Sequence, residues 1–78
     1  MNVFEEKGIT HLDLHGEKHE FVSEIVIDFI YRYQDKIPLI IICGNSNKMI
    51  DLVLGVLKEN NIKGSSPRYG ILRVEQLR

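Results

Sequence analysis

Three polar side chains, His11, Asp13 and His15, alternate with leucines along one short segment of the chain. Alternate residues of an extended strand share a face, so Leu12 and Leu14 would pack inward while the polar side chains lie together on the other face. An imidazole can transfer a proton near neutral pH, and a nearby carboxylate can orient it or hold a cation. Asp13 and His15 are therefore the candidate catalytic residues, and a solvated polar strand face is the alternative.

The same three side chains raise the question of a metal centre. Three ligands that project from one strand diverge, and a closed coordination sphere would need help from elsewhere in the chain. Cys43 is the single cysteine, which excludes an internal disulfide and a cysteine zinc site and favours a reducing compartment. We expect no tightly bound cofactor and no intrinsic metal; an Mg²⁺ or Mn²⁺ ion that acts at Asp13 during catalysis is the alternative.

A second polar segment, residues 44–47 (Gly-Asn-Ser-Asn), follows the apolar run Leu39–Cys43. It has the composition of a turn, and any of its Asn or Ser side chains could cap a following helix. The main-chain amides at a helix start, together with a lysine, favour phosphate. The predicted nucleic-acid contacts of this segment are Gly44, Asn45, Ser46, Asn47 and Lys48, and Gly16 after the first strand is another; a plain turn followed by a solvated lysine is the alternative.

The C-terminal part of the chain carries most of the cations. Residues 1–42 contain four Lys/Arg and eight Asp/Glu, which gives −4, whereas residues 43–78 contain six and three, which gives +3. Arg68 precedes Tyr69, and a cation beside a stacking ring suits single-stranded nucleic acid. Arg73 should point outward from the last strand and could contact a phosphate. Chance placement on a surface is the alternative for both arginines.

Five elements must position these residues. Alternation predicts strands at Ile9–His15 and Gly70–Leu77, and the β-branched run Leu39–Cys43 predicts a strand buried on both faces. Apolar residues at three- and four-residue spacing predict helices over Val22–Tyr33 and roughly over Lys48–Glu59. Residues 64–67 (Gly-Ser-Ser-Pro) read as a loop, and the first six residues show no periodicity.

The order strand, helix, strand, helix, strand predicts the α/β class, as one small βαβαβ domain of two layers. We expect residues 1–7 to fray and residues 8–78 to form the domain. If the first two strands are parallel, the segments after His15 and after Cys43 open on the same edge of the sheet, where ligands gather in such folds. The longest apolar run is far shorter than the ~20 residues of a membrane span, so we expect a cytoplasmic protein with no membrane partner.

At this point the sequence resembles the small MutS-related (Smr) family. Leu12-Asp13-Leu14-His15-Gly16 matches its Leu-Asp-x-His-Gly motif, and the order of elements over about residues 8–77 is similar. The family's second motif reads roughly Thr/His-Gly-x-Gly, and the matching stretch here is Cys43-Gly44-Asn45-Ser46. Gly44 is retained, whereas Ser46 replaces the second glycine, which normally lets a phosphate approach the main chain closely.

The resemblance implies a fold and a function. Smr domains are similar in fold to the C-terminal domain of translation initiation factor three, and they bind nucleic acid. Several nick DNA or cleave RNA, some of them with a divalent metal. We therefore expect an Smr-like domain that binds DNA or RNA and acts as an endonuclease, that is, a phosphodiester hydrolase. A binding module without catalysis, suggested by Ser46, and an adaptor that binds proteins are the alternatives.

Overall fold

The computed structural model describes residues 2–77, which form one sheet of five strands covered by two helices. This confirms the predicted α/β class and its two layers. Met1 and Arg78, which the predicted boundaries include, lie outside the described residues. The elements in chain order are β1 (Asn2–Glu6), β2 (Ile9–Asp13), α1 (His19–Arg32), a short 3-10 helix (Gln34–Lys36), β3 (Leu39–Ile42), α2 (Asn47–Glu59), β4 (Ile62–Arg68) and β5 (Ile71–Leu77).

The strand order β1-β2-β3-β5-β4 decides which loops meet. β2 and β3 are parallel, as predicted, so their carboxyl ends lie at the same edge of the sheet. β5 runs antiparallel to β3 and β4 antiparallel to β5, so the turn between β4 and β5 reaches that edge as well. Three connections therefore converge at one end of the sheet.

The two helices form where the apolar spacing predicts them, within a few residues at each end. α1 buries Val22, Val26, Phe29 and Ile30, and α2 buries Met49, Val53, Val56 and Leu57. These stripes meet a single core whose strand side comes from alternate residues of β2, β3 and β5. Burial of such apolar surface is the main favourable term for a domain of this size.

The opposite face of the sheet has no helix among the described residues. Ile40 and Ile42 of β3 lie on it and are only partly buried, whereas Leu39 and Ile41 are fully buried in the core. The prediction that this strand is buried on both faces is therefore wrong. An unbroken apolar run is typical of a fully covered strand, but here both helices pack on one side and the second face stays half open.

Two strands occur where the sequence predicts none. Residues 2–6, expected to fray, pair antiparallel with β2, so that Val3 lies opposite Leu12 and packs on the core while the Phe4 ring stacks on His11 at 5.0 Å. Residues 64–67, expected as a loop, belong to β4, which pairs with β5 through a register that shifts twice. The local sequence of both segments favours a strand only weakly. Both nevertheless form strands, because each is hydrogen-bonded to a neighbouring strand of the sheet.

Among residues 2–77, no helix combines the length and the apolar character that a membrane crossing requires.

Candidate functional site

The Leu-Asp-x-His-Gly segment ends β2 and continues into a tight turn over residues 14–17. The main-chain amide of Glu17 donates to the carbonyl of Leu14 at 3.0 Å, and Gly16 supplies the positive φ of +83° that the turn requires. Leu14 is fully buried and anchors the turn in the core. His15 is thus held at the exposed corner of a turn that is fixed from below.

The Asp13 carboxylate supports this turn from the side. Its Oδ1 accepts a hydrogen bond from the main-chain amide of His15 at 2.9 Å. A bond of this kind is the local side-chain-to-backbone contact that Asp commonly makes in turns. Asp13 therefore acts on the backbone that carries His15, and this contact leaves the imidazole open to solvent.

The second predicted segment lies directly beside the first. The Leu14 amide donates to the Ile42 carbonyl at 2.9 Å, which continues the parallel pairing of β2 and β3 by one further bond beyond the strand. Gly44 then turns the chain towards α2 with a φ of +76°. The two loops are in this way connected through the main chain, as the parallel arrangement predicts.

Between the two loops lies a cleft of about 350 Å³. The first loop and the start of α1 contribute Leu14, His15, Gly16, Glu17 and His19 to its lining. The second loop and the start of α2 contribute Cys43, Gly44, Asn45, Ser46 and Met49. The floor is apolar and the rim polar, as is usual for a site that binds a ligand through few polar groups.

Three residues predicted at or beside these loops, Asp13, Asn47 and Lys48, are not part of this lining, whereas His19, which was not predicted as a site residue, is part of it. His19 is the first residue of α1 and stands four positions after His15 across a turn. Helical or strand periodicity cannot relate two residues on either side of such a turn. Two imidazoles, His15 and His19, therefore line the same cleft.

The start of α2 closes one side of the cleft. Ser46 is its N-cap, and the Ser46 hydroxyl accepts from the Met49 amide at 3.1 Å. The Asn47 and Lys48 amides occupy the first two helical positions, for which a helix offers no internal acceptor. The positive N-terminal end of α2 therefore favours an anion at this point, and the exposed Lys48 side chain adds a full positive charge.

The turn between β4 and β5 packs against the second loop. The Cys43 amide donates to the Gly70 carbonyl at 2.8 Å, and the hydroxyl of Tyr69 hydrogen-bonds with Oδ1 of Asn47 at the start of α2. Arg68, the last residue of β4, is exposed beside this turn. The predicted cation at position 68 is thus brought to the same edge as the cleft.

Two other polar side chains lie away from the cleft. Arg73 stands in the middle of β5 on the open sheet face, opposite Ile40, with its Nε 4.0 Å from a carboxylate oxygen of Glu75. The His11 ring stacks on Phe4, and its Nδ1 lies 2.8 Å from the Ile9 carbonyl oxygen. Arg73 is therefore separated from the other predicted phosphate contacts, and His11 is engaged with its own sheet.

The cleft also contains a thiol of low reactivity. Burial raises the pKa of the Cys43 thiol to about 11, and the side chain is 4% exposed. Because the thiolate is the nucleophilic form, Cys43 serves as a small apolar residue of the cleft floor. Within residues 2–77, no three His, Cys, Asp or Glu side chains are grouped closely enough to hold a metal ion among themselves.

Comparisons with protein-family models, with curated proteins and with solved structures found no match to this chain.

Proposed function

We propose that this chain is an Smr-like domain that binds DNA or RNA at the cleft and cleaves a phosphodiester bond there. One observation carries the proposal: the turn that holds His15 lines the same cleft as Gly44, Asn45 and Ser46, and Ser46 is the N-cap of α2. A proton-transfer group therefore lines a cleft whose wall includes the N-cap of a helix, and a helix start favours anions. This is the combination that phosphodiester cleavage needs.

The phosphate is held by the second loop. Gly44, Asn45 and Ser46 offer main-chain and side-chain polar groups at the cleft wall. The Asn47 and Lys48 amides and the Lys48 ammonium then attract the negative charge. These contacts recognise the backbone common to DNA and RNA and position the scissile bond without reading its bases.

The proton transfer is assigned to His15. Its imidazole would take a proton from the attacking oxygen or give one to the leaving oxygen, depending on its protonation state. Asp13 is a positioning residue in this proposal, because its carboxylate bonds to the His15 main chain.

Asp13 is the one residue to which we assign the binding of a divalent ion. Mg²⁺ commonly binds through one or two carboxylates, with water and substrate phosphate completing its coordination, so a cluster of three protein ligands is not required. An Mg²⁺ or Mn²⁺ ion on Asp13 would polarise a phosphate oxygen and stabilise developing negative charge.

Ser46 favours a second candidate, a nucleic-acid-binding module without catalysis. It stands where the family motif has its second glycine, and its hydroxyl already caps α2 through Met49. A side chain at this position keeps a phosphate further from the main chain than glycine would. Binding through Lys48 and the helix start would persist, while the close approach that cleavage needs would be lost.

The test uses labelled single-stranded, duplex and structured RNA and DNA, each with and without Mg²⁺ or Mn²⁺. A nuclease loses about 10²–10⁴ in rate on His15→Ala and retains binding, because proton transfer and phosphate contact reside in different groups. Asp13→Ala should lose a similar factor, and the two losses should be strongly non-additive. Asp13→Asn keeps an acceptor for the His15 amide. If Asp13 only positions the turn, this variant should retain most of the cleavage activity; if Asp13 holds an ion, the variant should lose that activity.

His11→Ala is the matched control. It removes an imidazole from β2, the strand that contains Asp13, and this imidazole stacks on Phe4, away from the cleft. Cleavage that survives in both the Asp13→Ala and His15→Ala variants would contradict the proposed active site. Salt-sensitive binding without any cleavage would favour the inactive binding module.

A further inference from the structure

The ring of Tyr69 is a fixed but exposed aromatic surface beside the cleft. It is 59% exposed, the largest value among the large hydrophobic side chains in the described part of the chain. A side chain that is so exposed contributes little to the hydrophobic core, so packing in the core does not account for the position of the Tyr69 ring. Its hydroxyl is nevertheless tied to Asn47, which restricts the ring while leaving much of its surface free.

The turn that carries this ring is itself held in place. The Gly70 carbonyl accepts the Cys43 amide at 2.8 Å, and the Ser66 hydroxyl lies 3.0 Å from the Arg68 carbonyl oxygen and 3.1 Å from that of Ile71. Both sides of the turn are therefore braced. A surface that is ordered before binding loses little conformational entropy when a ligand arrives.

The position of the ring suggests what it contacts. Asn47, to which it is tied, directly follows Ser46 of the cleft wall, and Gly70 lies against Gly44 of the same wall. Arg68 is exposed on the other side of the ring in sequence. A flat aromatic surface therefore adjoins a predicted phosphate site, and its neighbour in sequence, Arg68, carries a positive charge.

We propose that Tyr69 stacks on an unpaired base of the bound strand, so that the ligand class is single-stranded or locally unpaired nucleic acid. This inference rests on the proposed function, because the phosphate held at the start of α2 places the neighbouring nucleotide at the ring. Aromatic rings stack on any base and thereby favour single strands without strong sequence preference. Bases inside a duplex already stack on each other and do not offer a free face.

The experiment compares three labelled ligands of equal length by fluorescence anisotropy: a single strand, the same strand with abasic sites throughout, and a duplex. We expect the intact single strand to bind about 5- to 150-fold more tightly than the abasic strand, the range that one stacked base provides. The abasic ligand keeps every phosphate, so this difference does not depend on how any variant folds.

The variants then assign the effect to the ring. Tyr69→Leu should lower affinity for the intact strand to near that of the abasic strand and leave abasic binding unchanged. Tyr69→Phe retains the ring without its bond to Asn47, and its loss should be smaller. Tyr31→Leu is the matched control, since Tyr31 is 41% exposed on α1 and stands outside the cleft.

Two results would overturn the inference. Equal, salt-sensitive binding of all three ligands, unchanged in Tyr69→Leu, would reject base stacking while leaving phosphate binding intact. Absence of salt-sensitive binding to every ligand would reject both the stacking and the proposed function.

Discussion

Gly70 lies so close to Gly44 that a β-carbon on Gly70 would stand 2.6 Å from the Gly44 carbonyl oxygen. Real β-carbons essentially never approach a main-chain oxygen so closely, so residue 70 must lack a side chain. The contact joins the turn between β4 and β5 to the loop that walls the cleft. Together with the hydrogen bond between the Tyr69 hydroxyl and Oδ1 of Asn47, this contact connects the Tyr69 ring to the predicted phosphate site.

Gly70→Ala should destabilise the domain and displace this turn. The substitution combines the clash with Gly44 and a left-handed φ of +84°, which costs a non-glycine residue about 1–3 kcal/mol. Gly8→Ala is the matched control, because Gly8 has a similar φ of +80° and open space around its β-carbon. Urea denaturation should show a larger loss for Gly70→Ala; equal losses would mean that the close contact contributes nothing.

Ser46 should contribute to stability through its cap on α2. Ser46→Ala removes the acceptor of the Met49 amide and should cost about 1 kcal/mol, whereas Ser46→Gly should cost only a few tenths, since glycine is tolerated at an N-cap. The free energy of unfolding from urea titrations checks the order. A Ser46→Gly variant as unstable as Ser46→Ala would contradict it. In a cleavage assay the glycine variant also tests whether the family motif, once restored, raises activity.

Lys48 should set part of the salt dependence of binding. With a net charge of −1 the chain offers few cations to phosphates, so the slope of log K against log salt should be about −2 to −4 on duplex DNA, at ~0.9 per phosphate. Lys48→Ala should reduce the magnitude of this slope by about 1. Lys58→Ala, at the opposite end of α2, is the control. Binding that does not change up to high salt would point to the adaptor alternative, a protein partner.

Cys43 should make stability fall at alkaline pH. Burial raises the pKa of its thiol from 9.0 to about 11 in the folded chain. Between these two values the unfolded chain releases the proton and the folded chain retains it, so the free energy of unfolding decreases as pH rises from about 9 to about 11. Urea denaturation across this range should show a smaller decrease for Cys43→Ala, in which only the other ionising groups contribute. An identical pH profile for both proteins would contradict the buried, neutral thiol.

The sequence predicts the elements whose hydrophobic periodicity is clear over a short stretch of the chain. The stripes of α1 and α2 and the alternation of β2 follow directly from side-chain periodicity, because one face must leave water. The meeting of the His15 and Gly44 loops follows as well, since a single parallel pair brings both loops to one edge. The capping role of Ser46 was one of three choices that the sequence left open.

Tertiary structure alone decided the rest. Residues 64–67 carry glycine, serine and proline, and they extend as a strand because β5 lies beside them. The isoleucines of β3 look alike in sequence, yet Ile41 is buried and Ile40 is partly open, because both helices pack on one face. His19 reaches the cleft, and Tyr69 reaches Asn47 at the start of α2, through turns, which relate residues by geometry and not by period. Local patterns record which side chains must leave water, whereas the partners of a strand and the neighbours of a turn depend on residues far along the chain.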